Sequence, residues 1–412
     1  MSAKGINGMS NGVIDNTERV LLKLLACALS GDTGCTIEFA ADTDWGKIIS
    51  MAKSHAVIAL IADIMLADGA ISASLTKEQK TEISRCCEGT LINDHKLLYL
   101  TDKYLKILEN AGVTGVVLKG WAVSGYYHVP ELRKTGDIDI IVANNDVGKA
   151  IEALKNDGFR EVDGQHSNHH TELIGEDKVI VEIHNTLVEL FDNDMVNSQI
   201  KEYGQNMLTH YEIFEYNGYR IRRAVPEYNA ISLALHMLQH YMRAGFGLKL
   251  LCDWVEFVND GIDANQYKAF IHMADTLGIT GFVTMINSVC YEYFGMRIPY
   301  GENIIQNKET IDAFTKDLID GEEFGRSDSR RMVVVNGSGL YVYAKEFHHQ
   351  MILNNPGLSK KIILWPYLWI KTLVVFIRNN RTIRKTKTMD IIKNAGLRGR
   401  MIKEMRIFKN NQ

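Results

Sequence analysis

Two aspartates inside one apolar run constrain this chain more than any other feature. The run is Asp137-Ile138-Asp139-Ile140-Ile141-Val142, and it reads as a β-strand. Side chains two apart on a strand leave the same face, so Asp137 and Asp139 project together with Cβ atoms ~7 Å apart. Two unit charges at about 6 Å repel by about 3 kcal/mol at an effective dielectric of about 20. A fold that keeps such a pair needs something to offset the repulsion, and a divalent cation with oxygen ligands, Mg²⁺ above all, does so. The plain alternative for Asp-x-Asp is a strand end with two solvated acids.

The flanking text decides between these readings. Upstream, Val116-Val117-Leu118-Lys119-Gly120 is a short strand running into glycine, followed by a short helix from Trp121 to Tyr127. Downstream, Val147, Ile151 and Leu154 recur at helical spacing and Gly158 closes that helix. Lys178-Val179-Ile180-Val181-Glu182-Ile183-His184 then forms a further strand carrying a third carboxylate, Glu182, with His184 on the same face.

This order resembles the nucleotidyltransferase superfamily that shares the DNA polymerase β palm, and within it a bacterial branch of nucleotidyltransferase family proteins. The matching text is Leu118-Lys119-Gly120, Arg133, Gly136-Asp137-Ile138-Asp139, Gly158-Phe159 and Val181-Glu182-Ile183-His184, followed more weakly by His236, His240, Gly247-Leu248-Lys249 and Asp253. The resemblance implies an α+β fold, a mixed sheet with flanking helices, and a metal-dependent transfer of a nucleotidyl group from an NTP to a hydroxyl of a small-molecule or biosynthetic acceptor. It implies that Asp137, Asp139 and Glu182 hold two Mg²⁺ ions, for which Mn²⁺ can substitute. Lys119, Gly120, Arg133 and Lys249 would meet the phosphates. One position departs from the family pattern. Trp121 follows the loop glycine where Ser or Gly is usual, and Ser124 one turn later is the substitute. That departure supports an alternative, a non-catalytic nucleotide-binding module on the same fold.

His236 and His240 share a helix face at i and i+4, a spacing that can hold zinc, but no third ligand follows by spacing. The resemblance turns this helix toward the site, so His240, Arg243 and Lys249 would bind anionic substrate and Asp253 would pair with one of the bases. His184 would act behind the metal ligands. His166, His169 and His170 fall in a polar stretch that reads as exposed loop.

The 412 residues divide into a helical region 1–110, a nucleotidyltransferase core 111–225, a second helical region 226–350, and an apolar-aromatic helix with a basic tail, 351–412. Within the first region helices are expected over 18–29, 45–67 and 76–110, with a candidate break near Gly89. Asn217-Gly218 predicts a type I′ hairpin. The six cysteines show no C-x-x-C spacing, which suits a reducing cytoplasm, and the first residues lack the form of a signal peptide.

Residues 359–412 carry 14 Lys/Arg and two acids, a local net charge of +12 in a chain of −4. Beside them lies an apolar run from Ile362 to Ile377, interrupted by Pro366 and Lys371 and shorter than the about 20 residues a spanning helix needs. It is expected to pack on the catalytic body. The alternative is peripheral contact with the inner surface of a membrane, with Trp365, Tyr367 and Trp369 at headgroup level, as an accessory protein would use it. Nucleic acid is disfavoured as a partner by the overall charge and the absence of an RNA-binding motif.

Overall fold

The computed structural model describes residues 14–31, 35–162, 170–191, 193–243, 245–297, 304–305, 307–321 and 361–382, with His348, Met351, Ile352, Asn355, Leu358, Met405, Ile407 and Phe408. His166, His169 and most of the basic tail lie outside these.

Seven strands form one mixed sheet: β1 (Val116–Val117), β2 (Ile138–Ile141), β3 (Arg160–Glu161), β4 (His170–Ile174), β5 (Ile180–His184), β6 (Tyr211–Tyr216) and β7 (Tyr219–Ala224), in the order β3-β4-β5-β2-β1-β7-β6. β2 and β5 are parallel neighbours, and their register sets Asp139 opposite Glu182 and Ile141 opposite His184. β4 runs antiparallel to β5 with His170 opposite His184. Between β6 and β7, Asn217 and Gly218 both take positive φ, 48° and 83°, as a type I′ turn requires.

The sheet has two different faces because each strand alternates. Ile138, Ile140, Val181 and Ile183 point to one side, where they pack with Leu97, Leu98 and Tyr104 of the helix α5 (Lys77–Asn110) and Leu154 of α7 (Val147–Asn156). Asp139, Glu182 and His184 point to the other. Ile141 on that side joins a larger core, which takes in Leu21 and Leu25 of α1 (Asn16–Ser30), Ile61 of α3 (Ile58–Ala67), and residues of α9 (Pro226–Arg243), α10 (Leu248–Asp260), α12 (Thr280–Phe294) and α13 (Lys308–Ile319). The helices that precede the sheet in sequence and those that follow it therefore bury one common core.

Local signals account for several helix starts. Asp15 and Glu18 form a capping box on α1, and Thr76 and Gln79 form another on α5. α5 runs unbroken through Gly89 for 34 residues. The stretch expected as one helix, 45–67, is instead two, α2 (Trp45–Ser54) and α3, parted where Ala56 takes φ 58°. A left-handed non-glycine residue costs about 1–2 kcal/mol, so local sequence does not call for it. The break is held from outside: the His55 ring meets the Ile319 carbonyl at 3.0 Å and takes a hydrogen bond from the Leu248 amide at 3.3 Å.

Trp121 opens the short helix α6 (Trp121–Ser124) and is 1% exposed. Its ring belongs to the core on the α5 side, lies 5.3 Å from Tyr216, and donates its indole N–H to the Asp94 carbonyl at 3.3 Å. The Asp94 carboxyl is itself buried. Burial pushes it up to about 8, against the opposing pull of Arg133. An unfolded carboxyl ionises near 4, so between about pH 4 and 8 the folded chain keeps a proton that the unfolded chain has lost, and stability falls as pH rises through that window. Asp94→Asn is therefore expected to be more stable than wild type by on the order of 2 kcal/mol at pH 7, with the gain vanishing toward pH 4. Urea denaturation of both proteins across that range checks it, and a gain independent of pH contradicts it.

Candidate active site

The parallel β2–β5 register supplies what spacing alone cannot, a third acid beside the first two. Oxygens of Asp137, Asp139 and Glu182 all lie within 4.8 Å of one another. Asp137 is exposed at the mouth of the cavity, Glu182 is half-buried and Asp139 is buried. Asp139 Oδ1 is met by the Lys119 ammonium at 2.9 Å and by His184 Nε2 at 2.9 Å, and the same His184 nitrogen is 3.0 Å from Glu182 Oε2. Asp139 Oδ2 is buried and accepts no hydrogen bond among the described residues.

These contacts set the charges. Burial pushes the Asp139 carboxyl up, but Lys119 and the hydrogen bond from His184 more than reverse this and hold it well below the usual carboxylate range. Asp137 is raised, chiefly by the neighbouring Asp139 charge. For Lys119, burial acts downward and the Asp139 and Asp137 charges outweigh it, so its pKa rises. His184 follows the same logic, with burial overcome by its hydrogen bonds to Asp139 and Glu182. Across the cavity His236 is driven well below the ordinary histidine value by burial, then by the Lys119 and His240 charges.

Above the acids is a cavity of about 260 Å³, walled on the far side by His236, Gln239 and His240 of α9 and by Phe246, Gly247 and Lys249 at the start of α10. Lys119, Gly120 and Gly136 line the near side. Gly120 takes φ 60° and ψ −120°, a conformation open to glycine, and an added Cβ would stand 3.1 Å from Thr135 Cγ2.

Of the residues singled out in the sequence, Asp137, Glu182, Lys119, Gly120, Arg133, Lys249, His184 and His240 line this cavity, and Asp139 lies beneath them. Ser124 does not. It is fully buried and donates back to the Gly120 carbonyl at 3.2 Å, because α6 turns it into the core. Arg243 ends α9 and its side chain lies outside the described residues. Arg133 borders the cavity but spends its donors elsewhere: Nε and Nη2 reach the two oxygens of Asp253, both at 2.7 Å, and Nη1 reaches Thr135 Oγ1 at 2.9 Å. Tyr127 adds its hydroxyl to Asp253 Oδ1 at 2.7 Å. The guanidinium thus fixes the approach to Asp137 and ties it to α10. Asp253 was expected to pair with His240, Arg243 or Lys249; the base that holds it is Arg133.

His170, expected in an exposed loop, is part of a strand. It sits on β4 opposite His184, with ring centroids 5.1 Å apart and Nδ1 3.8 Å from Glu182 Oε2. The available signal was its spacing: His170 and Glu172 stand two apart, as Glu182 and His184 do, so both pairs face the cavity side of adjacent strands.

A mixed sheet that gathers three carboxylates below a cavity lined with lysine and glycine has a nucleotidyltransferase-like fold. Residues 41–295 match the profile of a family described as uncharacterised nucleotidyltransferases, and the chain belongs to that family. No curated protein matches it. Among solved structures it is similar to an antigenic nucleotidyltransferase-like protein from Paracoccidioides brasiliensis, at 14% identity, covering 49% of this chain and 93% of that one, with a TM-score of 0.29.

The Arg133–Asp253 pair is buried on both sides, so removing one partner strands the other's charge. Asp253→Ala is expected to cost about 3–5 kcal/mol, whereas replacing both residues together by Arg133→Met and Asp253→Leu should cost much less than the sum of the single changes. Equilibrium denaturation of the two singles and the double decides this, and additive losses contradict it.

Proposed function

We propose that this protein transfers a nucleotidyl group from an NTP to a hydroxyl of a small-molecule or biosynthetic acceptor and releases pyrophosphate, using two Mg²⁺ ions. The observation that carries this reading is the convergence of Asp137, Asp139 and Glu182 within 4.8 Å. Three hard oxygen donors fit Mg²⁺ or Mn²⁺, and the buried Asp139 Oδ2, which has no hydrogen-bond partner among the described residues, suits a cation ligand. When bound, such ions lower the pKa of an acceptor hydroxyl and neutralise phosphate charge.

The chain's own groups do the rest. Asp137, Asp139 and Glu182 would hold the ions. Lys119 and Lys249, which both line the cavity, would bring positive charge to the triphosphate. Gly120 lets the backbone come close to the phosphates. The acceptor oxygen forms its bond to the α-phosphorus as the bond to the bridging oxygen breaks. The hydroxyl proton passes to Glu182 and pyrophosphate leaves. His184 keeps Asp139 and Glu182 aimed at one point, and neutral His236 offers a hydrogen bond without adding charge. Trp121, the feature that favoured a non-catalytic module, is packed in the core away from the cavity.

Pyrophosphate release, measured for each NTP with Mg²⁺ and a panel of acceptors, tests the proposal. Asp139→Asn is expected to lose more than the roughly 10–100-fold that an outer partner of a metal ligand is worth. Retained turnover would overturn the mechanism. Independently of any acceptor, Mg²⁺ at 100 times its Kd should stabilise wild type by about 2.7 kcal/mol and Asp137→Asn by clearly less. Equal rises in melting temperature would mean that this pair is not the metal site.

A further inference from the structure

Over residues 365–374 the helix Trp365–Thr382 carries its apolar side outward. Leu368 and Thr372 are buried, and Lys371 reaches Asn355 Oδ1 at 3.0 Å. Tyr367, Trp369, Ile370, Leu373 and Val374 are exposed, by 62%, 41%, 64%, 46% and 56%. At 100° per residue these five and Pro366 sweep an arc of about 160°, and over residues 365–374 the one charged residue, Lys371, falls outside it. Ile363, in the turn leading into the helix, is 89% exposed and extends the patch. This segment was expected to pack on the catalytic body; Leu368 joins neither of the two cores, and the helix meets His348 and Asn355 instead.

We propose that this face docks in the interface of an anionic lipid membrane, lying in the plane of the surface. The helix does not offer a crossing: no helix among the described residues is long and apolar enough to span a bilayer. The exposed arc mixes aliphatic residues with Tyr367 and Trp369, the side chains that favour the headgroup region. Charge selects among occupants. Residues 359–412 sum to +12 and the remaining chain to −16. A second copy would cover the apolar arc but would bring one +12 segment against another. A nucleic acid would satisfy the charge and leave the arc in water. A surface of acidic lipids answers both, taking the apolar side chains below the headgroups and the basic residues at their level. Such docking is an addition to the proposed transfer and stands or falls separately from it.

Vesicle flotation of the full chain tests the proposal. Wild type is expected to float with vesicles of phosphatidylcholine and phosphatidylglycerol, at least tenfold more than with phosphatidylcholine alone. The double variant Ile370→Asp, Leu373→Asp should lose at least tenfold of that binding while melting at the wild-type temperature, since both positions are exposed. Brominated lipid should quench tryptophan fluorescence in wild type, and less so in Trp369→Phe. No flotation of wild type overturns the idea, as does equal flotation of the double variant, which would assign the binding to tail charge alone. A wild-type dimer that the double variant dissociates, without vesicle binding, would overturn it in favour of a second copy. RNA binding without flotation would do so in favour of nucleic acid. Pyrophosphate release by the soluble protein reads the active site separately from all of these.

Discussion

Three negative side chains on one face of a sheet are the constraint that the rest of the structure answers. Asp137, Asp139 and Glu182 would drive that face apart in the absence of compensation, and the chain supplies part of it from its own residues. Lys119 and His184 both reach Asp139 Oδ1, so the most buried of the three acids is also the most firmly ionised. The repulsion is displaced onto exposed Asp137, whose carboxyl is raised by its neighbour. Asp139 Oδ2 is the part left over. A site held in this way keeps its shape before a cation arrives and still has something to gain from one.

A second ionic contact joins that face to the helices across the cavity. Arg133 leads into the Asp137 strand and Asp253 belongs to α10, so their pair fixes the distance between the two walls. Burial makes the contact costly to break rather than strongly stabilising, which suits a positioning role. It also explains why this arginine is not available as a simple phosphate contact. The helices on either side of the sheet in sequence close around one core, so the cavity is a seam within a single packed body.

The surface carries a separate theme. A chain of −4 overall concentrates its positive charge in the last 54 residues, next to a helix that turns apolar side chains to the outside. Composition displayed the charge and the apolar run. Which way the run faces is a matter of packing, because Leu368 and Thr372 on one edge and Ile370 and Leu373 on the other are all compatible with a helix of this pattern.

What the sequence determined by itself was the local chemistry: the alternation that places Asp137 with Asp139 and Glu182 with His184, the capping boxes, the Asn217-Gly218 hairpin, and the Lys119-Gly120 turn. Each follows from the period of an element or the conformational range of one or two residues. Tertiary structure alone decided what depends on register and on distant partners. It set Asp139 opposite Glu182, brought His170 across from His184, gave Arg133 to Asp253, turned Ser124 and Trp121 away from the cavity, and broke the helix at Ala56 through contacts with Leu248 and Ile319. The physical reason is range. Backbone preference acts over a few residues, whereas these pairings link positions that are far apart in the chain, and only the folded core can state which of them meet.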